Sequence, residues 1–163
     1  MSDKYFILFL DFDGVICTLR QAVAEGDYGL LGCIDPVAMK FLDRMCLEYP
    51  VKVVISSSWR IGREYSHFNS LFKVSGCFHL SNSLYYNDFK TPSMSGIRGL
   101  EIEDWLKRND CIVKDYLILD DDVDMLDYQM GRLINTPFED GLQFKHYTRI
   151  EKAIKESFNN EEV

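Results

Sequence analysis

The apolar positions of the chain fall into two periods. Tyr5–Leu10 (YFILFL), Val51–Ile55 (VKVVI) and Tyr116–Leu119 (YLIL) are short, nearly continuous apolar runs, and each ends abruptly in polar residues. Runs of this kind predict strands buried on both faces, as in a parallel sheet covered by helices. Behind Asp35-Pro36, an N-cap followed by proline at the first helical position, Val37, Phe41, Leu42 and Met45 recur at helical spacing and predict a helix over 36–48. Tyr65, Phe68, Leu71 and Phe72 predict a second helix. Leu100, Trp105 and Leu106 mark the core face of a third over Gly99–Arg108, whose early glutamates and late basic residues suit the helix dipole. Ile150, Ala153, Ile154 and Phe158 predict a C-terminal helix opened by a Thr148/Glu151 capping box. Cys77–Leu80 and Arg132–Asn135 read as further short strands. Residues 15–33, interrupted by Gly26, Gly29 and Gly32, read as irregular, and residues 81–98 as a long polar loop of a length that is often functional.

Strands alternating with helices predict an α/β fold, a doubly wound parallel sheet joined by right-handed crossovers with helices on both faces. The 163 residues, 47% hydrophobic and 27% charged, suit one soluble domain over residues 1–163. A chain of this length buries roughly 70% of the surface it exposes when unfolded, so it needs no covalent staple. The five cysteines, odd in number and without a CxxC pair, exclude a zinc ribbon or a disulfide framework and read as small thiols in a reducing compartment. No apolar run reaches membrane-spanning length and the N-terminus has no signal-peptide pattern, so a cytoplasmic protein without membrane contact is expected. A net charge of −8 disfavours non-specific binding to long nucleic acid, which needs a basic footprint, but leaves room for a small phosphate pocket.

Ligands of such sheets bind beyond the carboxyl ends of the strands. Three polar clusters are expected there: Asp11-Phe12-Asp13-Gly14, Ser56-Ser57-Ser58 and Asp120-Asp121-Asp122. In extended backbone Asp11 and Asp13 share a face. Two carboxylates that close resist joint ionisation, a conflict that a hard, oxygen-loving cation such as Mg²⁺ removes. Each cluster alone also reads as a solvated turn or a helix cap, and it is their joint occurrence at successive strand ends that points to one site. The histidines His67, His79 and His146 have no metal spacing, and the chain has no P-loop, GxGxxG or nucleophile elbow.

On these residues the chain resembles the haloacid dehalogenase-like (HAD) superfamily along essentially its whole length. Asp11-Phe12-Asp13-Gly14-Val15 matches its DxDx(T/V) motif, Ser56 the hydroxyl that ends a later strand, and Asp120-Asp121 the acidic pair after an apolar strand. The basic residue ahead of that pair is Arg98 or, as runner-up, Lys90, with arginine replacing the commoner lysine in the first case. Ser57-Ser58-Trp59-Arg60, Thr91-Pro92, Arg98–Leu106 and Leu119–Asp122 are similar to a narrower group, the HAD-like domains of multifunctional RNA-repair proteins.

The resemblance implies a magnesium-dependent phosphomonoester hydrolase in which Asp11 is the nucleophile that forms an aspartyl-phosphate and Asp13 the general acid–base. Mg²⁺ would be held by a set drawn from Asp11, Asp13 (through its backbone carbonyl), Asp120 and Asp121. Ser56 or Ser57 would bind the phosphoryl oxygens and Arg98 would offset the charge that develops on them. The stretch between Asp13 and Ser56 is too short for a large cap domain, so an open site is expected. A phosphorylated polynucleotide end or a nucleotide would then be the substrate, with Arg60, Arg63 or Arg20 on a neighbouring phosphate and Trp59 or Tyr85 under a base. The alternatives are a small-metabolite phosphatase and a non-catalytic magnesium- or phosphate-binding module on the same fold.

Overall fold

The computed structural model describes residues 4–159. Four strands, β1 (Tyr5–Leu10), β2 (Val51–Ile55), β3 (Val113–Asp120) and β4 (Leu133–Asn135), form one parallel sheet in the order β2-β1-β3-β4. The central strand β1 alternates between two cores, as a strand with both faces covered must. Phe6, Leu8 and Leu10 point into the larger core, with Met39 and Leu42 of α3 (Pro36–Glu48), Phe68 of α4 (Tyr65–Val74), Leu80 of α5 (Phe78–Ser83), and Ile150 and Ile154 of α7 (Phe144–Asn159). Ile7 and Phe9 point into the smaller core, with Ile102 and Trp105 of α6 (Arg98–Arg108). Helices therefore cover both faces, as the alternation of elements predicts. Among the described residues no helix is long and apolar enough to cross a membrane.

Four local expectations are corrected. Cys77–Leu80 is not a strand but the entry to α5. A short apolar run has no period of its own. Here Leu80 and Cys77 reach the core while Phe78 between them stays 59% exposed, and Asp43 on α3 accepts a hydrogen bond from Leu80 N at 2.8 Å. Residues 15–33 are helical in two places, α1 (Leu19–Glu25) and α2 (Leu30–Cys33). Thr18 caps α1 by accepting from Gln21 N at 3.1 Å, and Gly26 closes it in the left-handed region at φ 67°. Gly26 thus ends a helix rather than preventing one. Helix α7 begins at Phe144, so Thr148 lies inside it and donates to Lys145 O at 2.9 Å instead of capping. In α6, Leu100 is exposed and Ile102 takes its expected place beside Trp105.

Sheet register positions the candidate chemistry. Leu10 pairs with Ile55 on one side and with Leu119 on the other. Asp11, Ser56 and Asp120, one residue further along each strand, are therefore neighbours at the carboxyl edge. The backbone bonds Asp11 N→Leu119 O and Ser56 N→Leu10 O, each 3.0 Å, extend the ladder to that point. The segment between β1 and α3 forms only the two short helices, and among the described residues nothing builds a large cap over this edge.

Candidate active site

After Leu10 the chain leaves the sheet and turns back on itself. Phe12 turns inward, fully buried against Phe68, Phe72 and Trp59. Its carbonyl accepts from the amides of Val15, Ile16 and Cys17 at 2.8–3.1 Å, which closes the turn. Gly14 makes the turn possible in two ways. Its φ is +70°, and a Cβ there would lie 2.6 Å from Asp121 Cβ. This close approach brings the first acidic cluster against the last.

Asp11, Asp120 and Asp121 each offer a carboxylate oxygen within 4.8 Å of the others. Burial, then the charge of Asp120, pushes the Asp11 carboxyl up to about 7, against the opposing pull of Arg98, the Phe12 amide and the Ser57 hydroxyl. Burial likewise raises Asp120 to about 6, with Arg98 and the Asp122 amide opposing, and burial raises Asp121. Oδ1 of Asp120 accepts from Asp122 N at 3.0 Å, whereas its buried Oδ2 has no hydrogen-bond partner. Arg98 Nε stands 3.5 Å from that oxygen without making a hydrogen bond, and a buried acceptor left without one costs on the order of 1–3 kcal/mol. Three crowded carboxylates, one with an oxygen that accepts no hydrogen bond, are the donor set that a hard divalent cation satisfies, so these residues fit Mg²⁺.

Asp13 stands apart. Its side chain is exposed and lies outside the three-carboxylate group, and its Oδ2 accepts a hydrogen bond from Trp59 Nε1 at 2.9 Å. Trp59 is itself fixed, with its ring 5.3 Å from that of Phe12 and the Arg63 guanidinium 5.7 Å from its centroid. The two aspartates of the DxD motif thus meet different environments, one crowded and buried, the other open and held by a neutral donor. Spacing alone places Asp13 with the metal ligands, but the turn after β1 swings its side chain away from them.

The serines divide as well. Ser57 accepts from Trp59 N at 3.3 Å, and its hydroxyl is near enough to Asp11 to pull that carboxyl down against burial. Ser56 is equally buried, and its hydroxyl has no partner. Its carbonyl is taken by Arg60 at 2.8 Å and by Arg98.

Of the expected cations, Arg98 reaches the carboxylates, with Nη1 3.6 Å from Asp11 Oδ1 and Nε 3.5 Å from Asp120 Oδ2. The start of α6 is held there by Asp124, which accepts from Arg98 N and Gly99 N at 3.1 Å each. A Cβ at Gly99 would lie 2.6 Å from Leu126 N, so only glycine lets the helix come this close. Lys90 points elsewhere: its ammonium bonds the carbonyls of Arg63 at 2.9 Å and Arg60 at 3.4 Å. Arg98→Ala should accordingly cost about 10²–10³-fold in kcat, the scale of losing a preorganised donor to a developing charge, and Lys90→Ala only a few-fold. Steady-state kinetics of the two variants checks this, and the reverse ranking would move the role to Lys90.

Arg60 is not a phosphate ligand, contrary to the sequence expectation. It is buried and its guanidinium is saturated by the carbonyls of Ser56, Ser57, Thr91 and Pro92 and by Glu101 at 2.6 Å. It ties the serine loop, the Thr91-Pro92 segment and α6 together, a structural task that one arginine with five N–H donors suits. Tyr85 is likewise packed on Trp105 in the smaller core, away from the acidic edge. Arg20 pairs with Asp35 and lies 3.6 Å from Asp140.

Two positioning residues escape sequence reasoning. Asn135 at the end of β4 donates to the carbonyls of Asp120, Asp121 and Asp122 at 2.9–3.4 Å and so shapes the acidic turn. Thr136 beside it donates to Gly14 O at 2.6 Å. The same rule that flagged the other strand ends, polar residues directly after an apolar strand, would have flagged this one had β4 been longer.

Comparison with protein families matches residues 7–147 to the HAD domain in Swiss Army Knife RNA repair proteins. Comparison with curated proteins and with solved structures gives no match.

Proposed function

We propose, from the premise that the chain belongs to the family of HAD domains in Swiss Army Knife RNA repair proteins, that it is a magnesium-dependent phosphomonoester hydrolase acting on phosphorylated nucleic-acid ends or nucleotides. The observation that carries this reading is the split between the two aspartates. Asp11 lies in the buried carboxylate group beside Arg98, and Asp13 lies outside it, facing an open cavity. Burial and Asp120 disfavour the charged form of Asp11, but a cation in the carboxylate group together with Arg98 would restore it as a nucleophile, while Asp13, outside that pull, can carry the proton a leaving oxygen needs. A module that only bound an ion would have no use for the second side chain.

In this reading an Asp11 oxygen attacks phosphorus, and the bond to the leaving oxygen breaks as Asp13 gives that oxygen its proton. Asp13, now a carboxylate, takes a proton from water, which attacks the aspartyl-phosphate and releases phosphate and Asp11. Ser57 and Arg98 border Asp11 and would hold the phosphoryl oxygens in both steps. Asp11, Asp120 and Asp121 would hold Mg²⁺, which supplies positive charge against the phosphate dianion.

With no large cap over the acidic edge among the described residues, bulky substrates would have access, and the family of RNA repair proteins makes a polynucleotide end the reading of choice over a free metabolite. The test is kcat/KM for a phosphorylated oligonucleotide against a mononucleotide with the same terminal base, in Mg²⁺. The oligonucleotide is expected to be at least equal. A tenfold preference for the mononucleotide, about 1.4 kcal/mol in the transition state, would overturn the polynucleotide reading.

A further inference from the structure

A cavity of about 170 Å³ opens beside Asp13, walled by Trp59, Tyr28 and Phe138 and floored by Cys17 and Cys33. None of the described residues lining it is a lysine or arginine. Tyr28 is 71% exposed and Phe138 49% exposed, so both rings have surface at the cavity mouth that a ligand could cover. Trp59 is the rigid wall, its indole N–H committed to Asp13 and its ring held by Phe12 and Arg63.

The position of this cavity gives it a role. A general acid must stand within hydrogen-bond reach of the leaving oxygen. Whatever is esterified to that oxygen therefore extends past Asp13 on its open side, which is this cavity. Its walls then describe the leaving group. Three aromatic side chains favour a flat ring, whose faces aromatic side chains cover well. The lack of a lining cation disfavours a second phosphate inside it. The volume is below the roughly 300–1,000 Å³ of sites for drug-sized ligands, so it admits one ring system and leaves the rest of a longer substrate outside.

Resting on the phosphohydrolase reading above, we propose that the cavity between Trp59, Tyr28 and Phe138 is the leaving-group subsite and that it takes a nucleobase, which makes nucleoside phosphates, free or at a chain end, the substrate class. Base, sugar and scissile phosphate then lie in sequence from the aromatic walls, past Asp13, to Asp11. Tyr28 and Phe138 are the specificity-determining residues, because they touch the ring and none of the reacting atoms.

Nucleosides lack the phosphate, so their binding to the wild-type protein can be read without turnover. Trp105 is fully buried in the smaller core, which leaves Trp59 as the tryptophan that a ligand can quench. Titration with adenosine, guanosine, cytidine and uridine should quench the tryptophan emission saturably for at least one nucleoside, and ribose should not. The double variant Tyr28→Ala/Phe138→Ala should weaken that binding tenfold or more. The same variant should lose tenfold or more in kcat/KM for the matching nucleotide and less than twofold for glycerol phosphate, which has no ring. Equal binding of ribose, no binding of any nucleoside, or a uniform loss on both phosphate esters would overturn the subsite. These outcomes are separate from the reading beneath them: phosphate release without nucleoside binding sinks the subsite alone, and nucleoside binding without phosphate release sinks the hydrolase.

Discussion

Asp11→Asn should leave phosphate release at background, a loss of about 10⁴-fold or more, as expected when a nucleophile is removed from a preorganised site. The amide is nearly isosteric with the carboxylate but cannot attack phosphorus. The variant should also fold as well as the wild type or better. Asp11 is buried beside Asp120, and both carboxyls are pushed upward by burial, so replacing one with a neutral amide relieves the crowding. Loss of turnover with an unchanged or raised Tm separates a chemical role from a structural one. Asp13→Asn makes the complementary measurement. It removes the acid–base group, worth roughly 10²–10⁴-fold, while the amide oxygen can still accept from Trp59 Nε1. A covalent phosphate should accumulate on this variant, detected by intact mass spectrometry and absent when Asp11→Asn is added. Near wild-type turnover by Asp11→Asn would show that the nucleophile is another group.

Chelation by EDTA should abolish turnover, and added Mg²⁺ should restore it. The physical reason is the three-carboxylate group: without a cation it repels both itself and an incoming phosphate dianion. A second readout needs no substrate. A ligand that binds only the folded chain stabilises it by about 2.7 kcal/mol at a hundred times its Kd. Mg²⁺ should therefore raise the Tm of the wild type in a concentration-dependent way, and this shift should shrink sharply in Asp121→Asn. Full activity in chelator, or an equal shift in both proteins, would remove the metal from the scheme.

Much of the site was legible from local pattern, because a strand end is a local event. An apolar run that stops at a carboxylate or a hydroxyl marks where a buried strand leaves the sheet, and DFDG, SSS and DDD each follow such a run. Partnership was less legible. In sequence both Arg60 and Arg98 were candidates to meet a phosphate. The fold closes Arg60 around four carbonyls and Glu101, and leaves Arg98 facing Asp11 and Asp120. Trp59, in sequence a candidate to lie under a base, packs on Phe12, and its N–H also holds Asp13. No spacing rule joins residues 46 positions apart through one hydrogen bond.

What the sequence determined by itself was the alternation of buried strands with amphipathic helices and the polar residues at the strand ends. Both follow from side-chain period and from the need of apolar runs to be covered, which neighbours along the chain decide. What only the tertiary structure decided was which of those polar residues meet. The register Leu10–Ile55 and Leu10–Leu119 aligns Asp11, Ser56 and Asp120, and the positive φ of Gly14 lets the first turn close on Asp121. That same turn carries the Asp13 side chain out of the carboxylate group and onto Trp59, beside an aromatic cavity assembled from three separate segments. Such contacts depend on how loops from distant strands fold over one edge, and a distance through space leaves no period in the chain.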